Sequence, residues 1–160
     1  MPSHKEIGSK YRKKILSLIF APKISQDELK ANLQFITEND EKSKCLIFNK
    51  EREARFFLFE NQYLPSIQFI RENPLIGLPI VKVDEGAVKH VLNGADIFAQ
   101  GITSVSRSFD AGSIVIVSNP QDAVLAIGKS LKSSVELLEL KGKVIRNIHY
   151  LGDSIWKNQL

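Results

Sequence analysis

Residues 78–102, LPIVKVDEGAVKHVLNGADIFAQGI, constrain the fold more tightly than any other stretch of the chain. They spell a strand, a helix, a glycine stop and a second strand within 25 residues. Ile80, Val81 and Val83 form a short β-branched run, which is strand composition. Asp84 stands directly before a periodic apolar segment, where its carboxylate can accept from the first free helix amides. Ala87, Val88, Val91 and Leu92 recur at helical spacing on one face, leaving Glu85, Lys89 and Asn93 on the other. Asn93-Gly94 stops the helix, with Gly94 suited to a left-handed conformation in which a Cβ would clash. Ile97 and Phe98 restart extended chain, and Gly101 ends it. The turn is expected to bring bare backbone at Gly94-Ala95 to the surface, where a second molecule's backbone can approach.

The 160 residues suffice for one domain or two small ones, and 43% apolar with 25% charged residues is ordinary for a soluble chain that buries a core. The net charge of +4 is a mild tilt toward polyanions. Residues 1–20 hold five Lys/Arg against one acid, so they account for all of it. Cys45 is the sole cysteine, which excludes an internal disulfide and a cysteine-built metal site. A buried, inert thiol in a reducing cytoplasm is the expectation. No apolar run approaches the roughly 18 residues of a membrane span. Arg12-Lys13-Lys14 precede Ile15 to Ala21 as a signal peptide's basic region precedes its apolar one. That segment is short, is broken by Ser17 and lacks a cleavage site, so it reads as a helix of the mature protein. His4, His90 and His149 are scattered without metal-ligand spacing, and no HxxxH, P-loop or GxSxG occurs. No catalysis, metal or cofactor is expected.

In the first half, Ser3 and Glu6 have capping-box spacing, and Ile7, Tyr11, Ile15, Leu18 and Ile19 share a helical face. This predicts a basic amphipathic helix reaching about Phe20, ended by Pro22, its lysines facing either solvent or phosphates. Ser25 and Glu28 repeat the spacing ahead of a short helix whose apolar face is Leu29, Leu33 and Ile36. Thr37 to Lys44 is charged and loop-like. Cys45 to Phe48 and Ala54 to Phe59 predict a hairpin, and the phenylalanines there are assigned to the core. Leu64 to Ile70 is a further extended or helical apolar piece, and Asn73-Pro74, Gly77 and Pro79 mark a boundary between domains 1–76 and 77–160.

In the second half, Thr103 to Asp110 reads as a polar loop, and Ser113 to Val117 and Ala123 to Gly128 as buried strands joined by a turn at Asn119 to Asp122. Ser133 and Glu136 make a third capping-box spacing before a helix from Val135 to Leu140, stopped by Gly142, with extended chain from Lys143 to Leu151. Short strands with two small helices suggest a compact β-barrel. Three blocks then resemble the PUA domain, an RNA-binding module. They are Val83-Asp84 with Gly86-Ala87, Val91-Leu92 and Gly94-Ala95-Asp96; Ala126-Ile127-Gly128; and His149-Tyr150-Leu151-Gly152-Asp153 with Trp156. The first half is similar to the pre-PUA domain of the malignant T-cell-amplified-sequence family, through Phe56 to Phe59, Tyr63-Leu64-Pro65-Ser66 and the proline-marked passage. One departure is Ala99-Gln100-Gly101, where relatives carry a proline before the glycine.

The resemblance implies an α+β chain, an N-terminal α/β pre-PUA domain followed by a PUA β-barrel with short helices. It implies binding of tRNA at its acceptor and CCA end, or of small-subunit rRNA, in translation initiation or recycling, with a possible protein partner there. Carried over by position, the contact surface is Lys89, Gly94, Ala95, Asp96 and Ile97. Arg107, Lys129, Lys143 and Arg146 join it on charge alone, with the stem of Arg146 expected half-buried beside Val144 and Ile148. Asp96 repels phosphate, so it would accept from a 2′-OH or base amine, or simply hold the turn. His149 and Asp153 are assigned a structural role. A monomer when free, without membrane association, is expected. The alternatives are a non-catalytic substrate-recruiting subunit of a tRNA-modifying enzyme, of pseudouridine synthase or tRNA-guanine transglycosylase type, and a protein-interaction scaffold.

Overall fold

The structure is a computed structural model that describes residues 3–38, 45–139 and 141–159. Its chain forms two compact units, Met1–Gly77 together with Ser154–Leu160, and Leu78–Asp153. The final residues therefore belong with the first unit: the Asn158 side chain accepts from the Ala54 amide at 2.7 Å, and the Arg71 guanidinium sits 5.6 Å from the centre of the Trp156 ring.

The first unit runs β1 (Ser3–Glu6), α1 (Ser9–Leu16), α2 (Gln26–Ala31), β2 (Phe35–Glu38), β3 (Leu46–Phe48), β4 (Ala54–Phe59), β5 (Gln62–Pro65) and α3 (Ile67–Glu72). Its strands pair in sequence order as an antiparallel sheet. The expected β3–β4 hairpin is present, and Phe48, Phe56 and Phe69 are fully enclosed, as core phenylalanines should be. Ser25 and Ser66 cap α2 and α3 by accepting from the amides of Glu28 and Phe69, both at 3.2 Å.

Three expectations for this half are corrected. Ser3–Glu6 is a strand, not a helix start, because it pairs with Phe35–Glu38 across the sheet. His4 also stacks on Phe48 with ring centres 4.2 Å apart. Those contacts are remote in sequence and outweigh a local cap. The helix instead begins after Gly8 and ends at Leu16. Beyond it the chain turns at Ser17-Leu18 and Ile19 forms a bridge with Tyr63, whose amide donates to the Leu18 carbonyl and whose carbonyl accepts from the Phe20 amide, each at 2.9 Å. Ile36 lies on β2 rather than on the second helix. The expected loop at Thr37 to Lys44 lies largely outside the described residues, and its first two residues, Thr37 and Glu38, belong to β2.

Cys45 is half-buried, and its thiol takes a hydrogen bond from the Tyr63 hydroxyl at 3.7 Å and gives one to the Thr37 carbonyl at 3.8 Å. Burial pushes its pKa up, outweighing those hydrogen bonds. Thiol reagents should therefore label the native protein at pH 8 at least tenfold more slowly than a free cysteine, and equally fast once it is unfolded. Equal rates before and after unfolding would contradict this placement.

The second unit runs β6 (Ile80–Val83), α4 (Glu85–Val91), β7 (Ile97–Phe98), a 3₁₀ turn (Ala99–Gly101), β8 (Ile102–Val105), β9 (Ile114–Ser118), β10 (Val124–Ser130), α5 (Ser134–Leu137) and β11 (Lys143–Tyr150). The strand order is β7-β11-β10-β9-β6-β8, antiparallel except for β6 with β9. Its two outermost strands, β7 and β8, are joined by the single turn Ala99–Gly101, so the sheet must curl until its edges meet. Val81, Val83, Val115, Val117, Ala126 and Ile145 fill the interior, all at 0% exposure. The polar loop expected from Thr103 is instead strand β8 as far as Val105, held by pairing with β6. Ser133 caps α5 by accepting from Glu136 at 3.4 Å.

Candidate nucleic-acid interface

The Asp84 carboxylate accepts from the Ala87 amide at 2.9 Å and starts α4. At the other end Gly94 takes φ +86°, and the Ala95 amide returns to the His90 carbonyl at 3.0 Å. Asn147 of β11 fastens this turn to the sheet. Its side-chain amide donates to the carbonyls of Val91 (3.1 Å) and Ala95 (3.0 Å), while its backbone amide donates to the Asp96 carboxylate (2.8 Å). Lys143 Nζ lies 3.3 Å from the other Asp96 oxygen. Asp96 thus holds the turn, one of the two roles its sequence position allowed.

Gly94 has a second reason for being glycine besides the left-handed backbone that was expected and is found. A Cβ there would lie 2.8 Å from Cε1 of Tyr150, so the missing side chain makes room for that ring. The face where a Cβ would project is not open to another molecule's backbone; Ala95, the next residue, is the exposed one.

Beside the turn lies a cleft of about 460 Å³, walled by Asp84, Ala87, His90 and Val91 on one side and Ala95 to Phe98, Gln100 and Gly101 on the other. That volume falls in the range, roughly 300–1,000 Å³, of small-ligand sites. Phe98 stands at its edge with 53% of its surface exposed, whereas Ile97 before it is 2% exposed. Gln100 braces the floor, its side-chain carbonyl accepting from the Gly142 amide at 3.1 Å, where relatives were expected to carry proline. The wall carries two carboxylates, an imidazole, a side-chain amide and an aromatic ring, and no unpaired Lys or Arg among the described residues lines it to hold a phosphate. It suits a flat, apolar ligand face with hydrogen-bond donors on its edge, the description of a nucleobase with an exocyclic amine or of a ribose hydroxyl.

The structure gathers Ala95, Asp96 and the nearly buried Ile97 at this cleft, and sets Gly94 against the Tyr150 ring. Lys143 reaches the cleft's carboxylate Asp96, whereas Lys89 lies on the opposite face of α4, in a groove with Glu85, Gly86, Val88 and Leu92. Arg107 lies elsewhere again, in a groove with Val135 of α5 and Leu138, the residue that follows that helix. Lys129 and Arg146 face each other across β10 and β11. Arg146 is exposed rather than half-buried, because a bulge between Lys143 and Ile145 breaks the alternation and buries both Val144 and Ile145. The sequence reading missed Phe98, His90, Asp84 and Gln100 as cleft residues. An aromatic residue alternating with the buried Ile97 was the available signal for Phe98.

His149 is 0% exposed, its Nδ1 2.8 Å from the Asp153 carboxylate, which also accepts from the Tyr150 amide at 3.0 Å. No substrate reaches a ring so enclosed, and the pair ties off the end of β11. Among the described residues no group of three or more His, Cys, Asp or Glu is placed to hold a metal ion, and no helix is long and apolar enough to cross a membrane.

Comparison with known proteins agrees with this architecture. The PUA domain family matches residues 79–151. Translation machinery-associated protein 20 of Eremothecium gossypii is 34% identical over 153 residues, covering 87% of this chain and 82% of the relative. Malignant T-cell-amplified sequence 1 of Rattus norvegicus is 33% identical over 131 residues, covering 78% of this chain and 65% of the relative. A conserved PUA domain protein from Thermoplasma acidophilum superposes with a TM-score of 0.75 at 27% identity, covering 97% of this chain and 98% of that one. With 34% identity over 87% of this chain and 82% of translation machinery-associated protein 20, the protein belongs to the PUA-domain family of that relative, and it is also similar to malignant T-cell-amplified sequence 1.

Proposed function

We propose that this protein binds structured RNA during translation and receives an unpaired base of a single-stranded 3′ end in the cleft between α4 and Phe98. It acts by binding, without a catalytic step. The acceptor arm of tRNA with its CCA end is the ligand that best meets these requirements, free or on the small ribosomal subunit. The observation that carries the reading is the half-exposed Phe98 ring at the rim of a cleft of about 460 Å³ that also presents the carboxylates of Asp84 and Asp96. Such a ring gives a base a stacking surface, and Asp84 and Asp96 offer oxygens to its amine. Membership of a family named for the translation machinery supports the setting.

The test is an anisotropy titration with a fluorescent RNA hairpin ending in a CCA overhang, run against the same hairpin cut blunt. Wild type should prefer the overhang. Phe98→Ala should weaken that binding about tenfold, as loss of one base stack costs roughly 1–3 kcal/mol. Lys89→Glu should weaken both hairpins severalfold by repelling phosphates, since it stands outside the cleft. Equal affinity for the two hairpins, or an unaffected Phe98→Ala variant, would overturn the cleft as the site. Co-purification with a catalytic chain and loss of a tRNA base modification on deletion would instead favour a recruiting subunit.

A further inference from the structure

The unit that carries the cleft has no net charge to offer a polyanion: residues 78–153 contain eight Lys/Arg and eight Asp/Glu. The whole +4 resides in the first unit, and within it in residues 1–20. Helix α1 shows where that charge is displayed. Ile15 is 1% exposed and faces the core, and Arg12 beside it is used internally, its guanidinium donating to the carbonyls of Leu33 (3.3 Å) and Ile7 (3.2 Å). Lys10, Lys13 and Lys14, at spacings of three and four, form one stripe on the other side, all exposed and with no carboxylate partner among the described residues.

Stability of the isolated protein does not explain this stripe. Like charges three and four apart in a helix repel, at about 0.2–0.5 kcal/mol per pair. Lys13 and Lys14 stand in the last turn, where the helix dipole favours cations, but Lys10 stands in the first turn, where it does not. The first turn holds no acid at all. The apolar side of α1 is spent on the core through Ile15, which leaves the helix a lysine face and, in the half-exposed Tyr11 ring, too little apolar surface to insert into a lipid surface.

Resting on the RNA-binding reading, we infer that Lys10, Lys13 and Lys14 form a phosphate-binding stripe that supplies most of the ionic part of RNA affinity, while the cleft supplies recognition of the 3′ end. The division follows from charge: a unit with equal numbers of cations and anions selects a base, and a tripled lysine face holds the backbone of the same RNA.

The test uses the full-length chain and the blunt and CCA-ended hairpins. The triple variant K10Q/K13Q/K14Q keeps helix-forming side chains at exposed positions, so its melting temperature should match wild type. Its plot of log affinity against log salt should be shallower by about 2–3, and its affinity at 0.1 M salt lower by roughly a hundredfold, for both hairpins alike. Preference for the CCA end should persist. An unchanged salt slope in the triple variant, with wild type still binding RNA, overturns the stripe and leaves the cleft standing. Absence of RNA binding by wild type overturns both. Loss in the triple variant of binding to phosphatidylserine vesicles, with RNA affinity unmoved, assigns the lysines to a membrane and also overturns the inference.

Discussion

Replacing Gly128 with alanine should destabilise the second unit by about 3 kcal/mol, at the upper end of what overpacking a well-packed interior costs. Gly128 lies in the buried part of β10, where the pairing with β11 shifts register between Ile127 and Gly128. An added Cβ would collide with Cγ2 of Ile145 and lie 3.0 Å from the carbonyl oxygen of Arg146. Neither neighbour has room to yield. Ile145 is β-branched and fully buried, and the Arg146 carbonyl belongs to the backbone of the facing strand. The Ala-x-Gly signature recognised in the sequence is therefore a statement about how closely β11 crosses β10. Gly86→Ala supplies the contrast. Gly86 is exposed in α4, its added Cβ would meet only an Asp84 oxygen at 3.5 Å, and alanine should raise stability by about 0.5–1 kcal/mol through helix propensity. Urea unfolding followed by circular dichroism reads both changes. A neutral Gly128→Ala would contradict the strand crossing.

Asn147→Asp is the second large effect. The Asn147 side-chain amide satisfies the carbonyls of Val91 and Ala95, and a carboxylate there would turn two hydrogen bonds into two acceptor–acceptor contacts. A loss of about 3–4 kcal/mol is expected, with the turn at Ala95 released and affinity for the CCA-ended hairpin lowered in step. Asn147→Ala should cost less, about 2 kcal/mol, because it removes the donors without adding charge and also relieves the buried Asn147 Oδ1, which has no hydrogen-bond partner. Acid should partly rescue the aspartate variant, since protonation restores one donor. An aspartate variant as stable as wild type would mean that Asn147 does not fasten the turn.

These two cases also mark what sequence reading reaches. Asp84, Gly94, Ser25 and Ser133 announce helix ends because caps are local: donor and acceptor lie within a few residues of each other. The same local logic misassigned Ser3–Glu6, where cap spacing was present but pairing with Phe35–Glu38 decided the conformation. Gly94 was placed correctly and explained incompletely, since Tyr150, the ring it accommodates, lies 56 residues away. The cleft was half legible. Asp96 and Ala95 came with the family pattern, whereas Phe98, His90 and Gln100 emerge only once β7 has been laid beside β11 and α4 has turned His90 toward it. Lys89, singled out by its position on the outward face of α4, proved to be outward indeed, and so turned away from the cleft.

The measurement that bears most directly on the account is amide chemical-shift mapping of the full-length, isotope-labelled protein titrated with the CCA-ended hairpin. The cleft account predicts the largest shifts at His90, Ala95, Phe98 and Gln100, absent when the blunt hairpin is used. Saturating RNA that leaves those four resonances unmoved would contradict it.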